Sequence, residues 1–159
     1  MIKTAEAVSL GHPDKTADYI SSYILDRMIE QDKNVRYAVE VMIKDNIVVL
    51  GGEVKGNVSL AKVNEYVLKA LEEIGYDAYY SVRWHDNAIE PSKIQVINFI
   101  GQQSADISAG VEQDGWGDQG VFVGYACQGV GNISREQYLA NKLSRALYEY
   151  ALQNIHLGI

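Results

Sequence analysis

Residues 35–44 alternate without a break. Val35, Tyr37, Val39, Val41 and Ile43 fall on one side, and Arg36, Ala38, Glu40, Met42 and Lys44 on the other. A period of two over that length describes a strand with one buried face. Asp45-Asn46 is a tight turn, and residues 47–50 return as the second strand of a hairpin, with Gly51-Gly52-Glu53 at its end. Before the hairpin, the period is that of a helix. Ala17, Ile20, Ile24, Leu25 and Met28 form an apolar stripe over residues 13–30, and Asp32-Lys33-Asn34 breaks it. After the hairpin, Ser59 caps a predicted helix over residues 60–74, with Val63, Val67, Leu71 and Ile74 inward and Gly75 as the stop. Residues 79–84, 94–100 and 121–127 read as strands, and residues 85–92 as a loop. A last helix follows the capping box Ser134 to Gln137 and runs to about residue 154.

This order predicts an α+β fold of two layers, with helices on one face of a mainly antiparallel or mixed sheet. The other face of such a sheet needs a cover, and the chain offers little to provide one. Self-association through that face is therefore expected.

Composition narrows the function classes. The chain has 159 residues, 47% of them hydrophobic and 22% charged, enough for a real core. Its 14 Lys and Arg against 21 Asp and Glu give a net charge of −7, a poor basis for binding nucleic acid. The lone Cys127 rules out an internal disulfide framework and fits a reducing compartment. Residues 1–6 lack the apolar run of a signal peptide. No stretch approaches the roughly 20 apolar residues that span a bilayer. The expectation is a cytoplasmic protein with no membrane partner.

The densest chemistry lies at Ser9-Leu10-Gly11-His12-Pro13-Asp14-Lys15. Proline suits the first helical position, and a helix starting at Pro13 offers free backbone N–H groups of the kind that bind phosphate. His12 offers a proton donor to an anion, and Asp14 offers an oxygen to a hard cation such as Mg²⁺. By itself the stretch reads more readily as a loop that caps a helix, with Asp14 stabilised by the helix dipole. Residues 101–120 are long, aperiodic and rich in Gly, Gln, Ser and Asp, as functional or disordered loops are.

Five motifs occur in a telling order: Glu6-Ala7-Val8-Ser9-Leu10-Gly11-His12-Pro13-Asp14-Lys15, Gly51-Gly52-Glu53, Gln103-Ser104-Ala105-Asp106-Ile107, Gly117-Asp118-Gln119-Gly120 and Gly124-Tyr125-Ala126. Together they resemble the amino-terminal part of the S-adenosylmethionine synthetases (methionine adenosyltransferases). The resemblance implies a reaction between ATP and L-methionine. The methionine sulfur attacks the 5′ carbon, triphosphate leaves whole, and it is hydrolysed to phosphate and diphosphate before release. It implies Mg²⁺ and K⁺, and an active site between two subunits packed sheet against sheet, as a homodimer or a dimer of dimers. It also implies residue roles. His12 stands beside the leaving oxygen of ATP, where a donor stabilises charge that develops only as the bond breaks. Lys15 and Asp118 also serve ATP, although Lys15 reads equally as a solvated helix charge and Asp118 as a plain turn residue. Asp14 is a Mg²⁺ ligand and Glu40 a K⁺ ligand. Glu53 and Gln103 contact methionine. Gln103, Ser104, Ala105, Asp106, Ile107, Ser108, Ala109, Gly110 and Val111 form a flexible gate, with Gly101 and Gly110 as hinges.

The chain departs from the family pattern in places. Leu10 replaces the usual Glu, Ala105 the usual Pro, and Trp116 a small residue. The family's later Asp-x-Lys nucleotide segment and glycine-rich basic motifs have no counterpart in these 159 residues. A triphosphate needs metals and several Lys or Arg. The chain is thus expected to supply the amino-terminal part of the site, to be inactive alone, and to work with a carboxy-terminal partner half. The alternative is a non-catalytic binding or regulatory fragment that keeps the fold and dimer face. The expected domains are residues 1–100 as the amino-terminal domain, 101–120 as the gate loop, and 121–159 as the start of the next α+β segment.

Overall fold

The structure, a computed structural model, describes residues 2–77, 80, 89–103 and 121–154. The chain divides into two compact units, residues 11–109 and residues 1–10 with 110–159.

In the first unit, helix α1 (Pro13–Ile29) opens at His12, whose extended backbone and side chain cap the first turn. Its seam is Thr16, Ile20, Ile24 and Met28, spaced by four and all buried. The predicted Ala17 and Leu25 lie half-buried beside it. The hairpin forms as expected. β1 (Arg36–Lys44) pairs antiparallel with β2 (Ile47–Lys55) around Asp45, which takes the left-handed conformation at φ 52°. β2 is longer than expected, because Gly51, Gly52 and Glu53 continue the ladder instead of ending it. Gly52 permits this. It lies at φ +130°, and a Cβ there would collide with the Ala38 carbonyl oxygen of β1.

Helix α2 (Val63–Ile74) starts three residues later than predicted. Ser59 Oγ accepts the Ala61 N–H (3.3 Å), and that local turn competes with an earlier helical start. Gly75, at φ 115°, closes α2 as expected. The helix carries the chain over to β3 (Gln95–Gln102), which runs parallel to β2. The sheet order is β1-β2-β3, a mixed sheet. Its covered face packs Val39, Ile43, Val48, Leu50 and Val54 against the seams of α1 and α2. No described residue covers its other face, where Met42, Ile97 and Phe99 are exposed. Of the predicted strand over residues 79–84, only Tyr80 is described. Its N–H donates to the Asp77 carbonyl (3.1 Å), a turn contact instead of a ladder bond.

In the second unit, α3 (Arg135–Gln153) begins where predicted, with Ser134 Oγ accepting the Gln137 N–H (3.3 Å). The Gln137 side chain does not return to Ser134. It donates to the Glu6 carbonyl (2.8 Å) and to Asn141 (3.0 Å). The expected apolar side of α3 remains exposed, with Leu143 62% and Leu147 64% accessible. The expected strand over residues 121–127 forms no ladder among the described residues. It finds no neighbouring strand there, and a strand without a partner leaves its backbone groups to water. No helix among the described residues is long and apolar enough to cross a membrane.

Candidate functional site

The open face of the sheet can be read row by row from the register. Met42, Val49 and Ile97 form one row, and Glu40, Gly51 and Phe99 the next. Ala38, Glu53 and Gly101 follow. The middle of the face is apolar, with Phe99 70% and Met42 62% accessible. Two carboxylates, Glu40 and Glu53, sit diagonally across β1 and β2, about 7–8 Å apart at Cα.

Glu53 is half-buried and has no ion pair among the described residues. Gln103 follows β3 on the same side and at the same end of the sheet. Its N–H donates to the Val54 carbonyl (3.1 Å), which fixes its backbone beside Glu53. Its side-chain carbonyl oxygen is buried without a hydrogen-bond partner. A buried acceptor left unpaired costs stability and marks a place where a donor is missing. A half-buried carboxylate and an unpaired amide oxygen together suit an ammonium group.

His12 and Asp14 lie elsewhere. His12 Nδ1 accepts the Asp14 N–H (3.3 Å), so this ring nitrogen caps the helix and the other remains available. The corner is braced from behind, where the Tyr76 hydroxyl donates to the Gly11 carbonyl (3.0 Å). Nothing in the sequence pairs Tyr76 with a residue so distant, and this brace was missed there. The Asp14 carboxylate is exposed and unpaired among the described residues. Lys15 is exposed and pairs with Asp18 (3.7 Å), a contact of small energetic weight.

α1 is locked in place against β1. Ser21 Oγ donates to the Val39 carbonyl (3.0 Å), and the Tyr37 hydroxyl donates to the Ser21 carbonyl (3.0 Å). Burial pushes the Tyr37 hydroxyl above its ordinary range, which keeps it protonated as a donor. Ser21 thus lies level with the Ala38–Glu53 row. His12 is nine residues earlier, about 13 Å along the helix, and on the covered side of the sheet. One protomer therefore does not bring His12 and Asp14 to Glu53 and Gln103. Glu40 lines a cleft of about 450 Å³ between the edge strand β1 and α1, with Lys15, Asp18, Ser21 and Ser22. Residues 104–111 of the expected gate and Asp118 lie outside the described residues.

Comparison with known proteins decides the family. Residues 1–105 match the family model described as S-adenosylmethionine synthetase, N-terminal domain. The chain belongs to the S-adenosylmethionine synthetase family. The S-adenosylmethionine synthase of Helicobacter hepaticus is 43% identical over 130 residues, 79% of this chain and 32% of that protein. That of Borreliella afzelii is 41% identical over 150 residues, 88% of this chain and 36% of that one. A solved structure of an unusual S-adenosylmethionine synthetase from Campylobacter jejuni superposes with a TM-score of 0.80 at 36% identity, covering 97% of this chain and 38% of that one. The chain spans only about a third of the length of these curated relatives, 32% and 36%. As an S-adenosylmethionine synthetase sequence, it carries its first two motifs and the start of the third inside the matched residues. The α+β fold with helices on one sheet face is the one expected from the sequence.

Proposed function

We propose that this chain supplies the amino-terminal part of a methionine adenosyltransferase site, forming S-adenosylmethionine from ATP and L-methionine with release of phosphate and diphosphate. The observation that carries the reading is the pairing of half-buried Glu53 with the unpartnered Gln103 carbonyl oxygen at one end of the open face. In this reading they hold the methionine ammonium. His12 and Lys15 meet the polyphosphate at the α1 corner, with Asp118 also on the ATP side. Residues 103–111 close over the substrates. In this reading residues 1–100 act as the domain, 101–120 as the gate and 121–159 as the next segment.

Two copies complete the site. The corner at His12 and the pair at Glu53 are separated within one protomer, and the open apolar face that carries Glu53 is the surface a second copy would cover. A homodimer packed sheet against sheet then presents the His12 corner of one copy to the Glu53 pair of the other.

Mg²⁺ and K⁺ fit the residues present. Among the described residues no three His, Cys, Asp or Glu side chains gather into a cage. Mg²⁺ is commonly held by one or two carboxylates plus substrate phosphates, and exposed Asp14 meets that description. Glu40, in its cleft beside the Ser21 and Ser22 hydroxyls, offers oxygens of the kind K⁺ takes. When bound, these cations neutralise charge on the polyphosphate. His12 supplies what a cation does not, a directed proton donor at the leaving oxygen.

The test is to mix the chain with the carboxy-terminal part of a relative and assay S-adenosylmethionine. Product that is lost on His12→Ala supports the proposal. No product in any verified complex supports the alternative of a non-catalytic binding fragment.

A further inference from the structure

His12 has a task that depends on direction, because a proton donor helps a leaving oxygen only when it points there. Three contacts hold it. The Thr16 N–H donates to its carbonyl (2.8 Å), and the Asp14 N–H donates to its ring Nδ1 (3.3 Å). Both of these come from α1 itself. The third comes from the end of α2. The Tyr76 hydroxyl donates to the Gly11 carbonyl (3.0 Å), and that carbonyl belongs to the peptide joining Gly11 to His12.

Tyr76 is itself firmly set. Left-handed Gly75 turns the chain at the end of α2, and the Tyr76 N–H donates to the Leu71 carbonyl (3.0 Å). Its half-buried ring packs on the core and meets the Tyr80 ring edge to face, with 4.8 Å between centroids. The fit at the corner is close. A Cβ at Gly11 would lie 3.3 Å from the Tyr76 hydroxyl oxygen, tighter than ordinary van der Waals contact. The bonds from α1 fix the ring and the atoms after the His12 Cα. They leave the peptide before it free to turn. A small turn of that peptide is magnified at the far ring nitrogen, and a misplacement of about 1 Å costs about a hundredfold in rate.

We infer that Tyr76 is a positioning residue for His12, clamping the Gly11–His12 peptide so that the outer ring nitrogen faces the polyphosphate. The inference rests on the reading of His12 as the donor at the leaving oxygen. Because Nδ1 accepts the Asp14 N–H, the neutral ring carries its proton on Nε2, the nitrogen free to donate. Tyr76 acts through the Gly11 carbonyl and leaves contact with substrate to His12.

The test pairs kinetics, with the carboxy-terminal part of a relative supplied, and nitrogen NMR of the His12 ring in the full chain. Tyr76→Phe keeps the ring and its contact with Tyr80 but removes the hydroxyl. It lowers kcat about tenfold and leaves the KM for methionine within about twofold. The His12 signals move from the Nε2-protonated form toward the average of the two tautomers. Gly11→Ala, which crowds the hydroxyl, lowers kcat in the parent and adds less in the Tyr76→Phe background, where that hydroxyl is gone. Tyr19→Phe removes another hydroxyl bond between α1 and α2, from Tyr19 to Glu73 (2.7 Å), and changes neither kcat nor the His12 spectrum. Tyr76→Phe with the parent's kcat, or with a loss that Tyr19→Phe matches, overturns the assignment and leaves the role of His12 standing. If a verified complex of the parent forms no S-adenosylmethionine, or loses none on His12→Ala, the reading of His12 fails instead. The spectrum then still decides whether Tyr76 sets the ring.

Discussion

Glu53 and Asp32 are both carboxylates, and their surroundings give them opposite work. Asp32 accepts the N–H groups of Asn57 and Asn34, each at 2.9 Å, and so ties the turn after α1 to the end of the hairpin. Those bonds, Asn57 first and Asn34 second, hold its carboxyl below the ordinary range. The charged form is thus favoured in the folded state. Its contribution is complete above the unfolded value near about pH 4 and is lost as pH falls through the lowered folded value. Asp32→Ala is expected to melt below the parent at neutral pH, with the gap closing under acid conditions. A gap that stays constant across that range contradicts the account. Glu53 has no such partners. Glu53→Gln is expected to leave the melting temperature near the parent's and to weaken methionine binding about ten- to a hundredfold, read by calorimetry. Lost stability with unchanged binding would make Glu53 a structural residue. Glu53 stood in a motif of the sequence, whereas Glu40 lay in none and came only with the family resemblance. The unpaired oxygen of Gln103 was legible in neither, because it depends on what the fold leaves around the amide.

At the scale of elements, the sequence is most legible where period and punctuation agree. α1, the hairpin, the Gly75 stop and the Ser134 cap all follow from local pattern, because each is decided by residues close together in the chain. The failures share a cause. β2 outruns its predicted end because Gly52 serves a close approach to Ala38, a residue distant in sequence. Residues 121–127 have a strand's composition but no strand beside them among the described residues, and alternation reports burial preference without naming a partner. Ser134 gives a direct check on the legible part. Its hydroxyl caps α3 without the reciprocal arm of a capping box, since Gln137 is engaged with Glu6 and Asn141. Ser134→Ala is expected to cost about 1 kcal/mol in denaturant unfolding, the value of a single cap. No measurable change would mean that the cap bond does not hold the helix start.

At the scale of the molecule, the open sheet face carries both the proposed association surface and half of the proposed site. Phe99, Met42 and Ile97 form its apolar centre, with Glu40 in the Phe99 row on the edge strand β1. Phe99→Asp is expected to shift the chain toward monomer in sedimentation experiments while leaving its circular dichroism unchanged. An unaltered assembly state would show that association uses another surface. The central claim is that the His12 corner of one copy serves the Glu53 pair of another. Mixing two inactive variants, His12→Ala and Glu53→Gln, tests it most directly, each supplied with the carboxy-terminal part of a relative. Mixed dimers then contain one intact composite site and one doubly damaged one. Shared sites predict that S-adenosylmethionine formation returns to about a quarter of the parent level in an equal mixture. Verified mixed dimers with no more activity than either variant alone would contradict it.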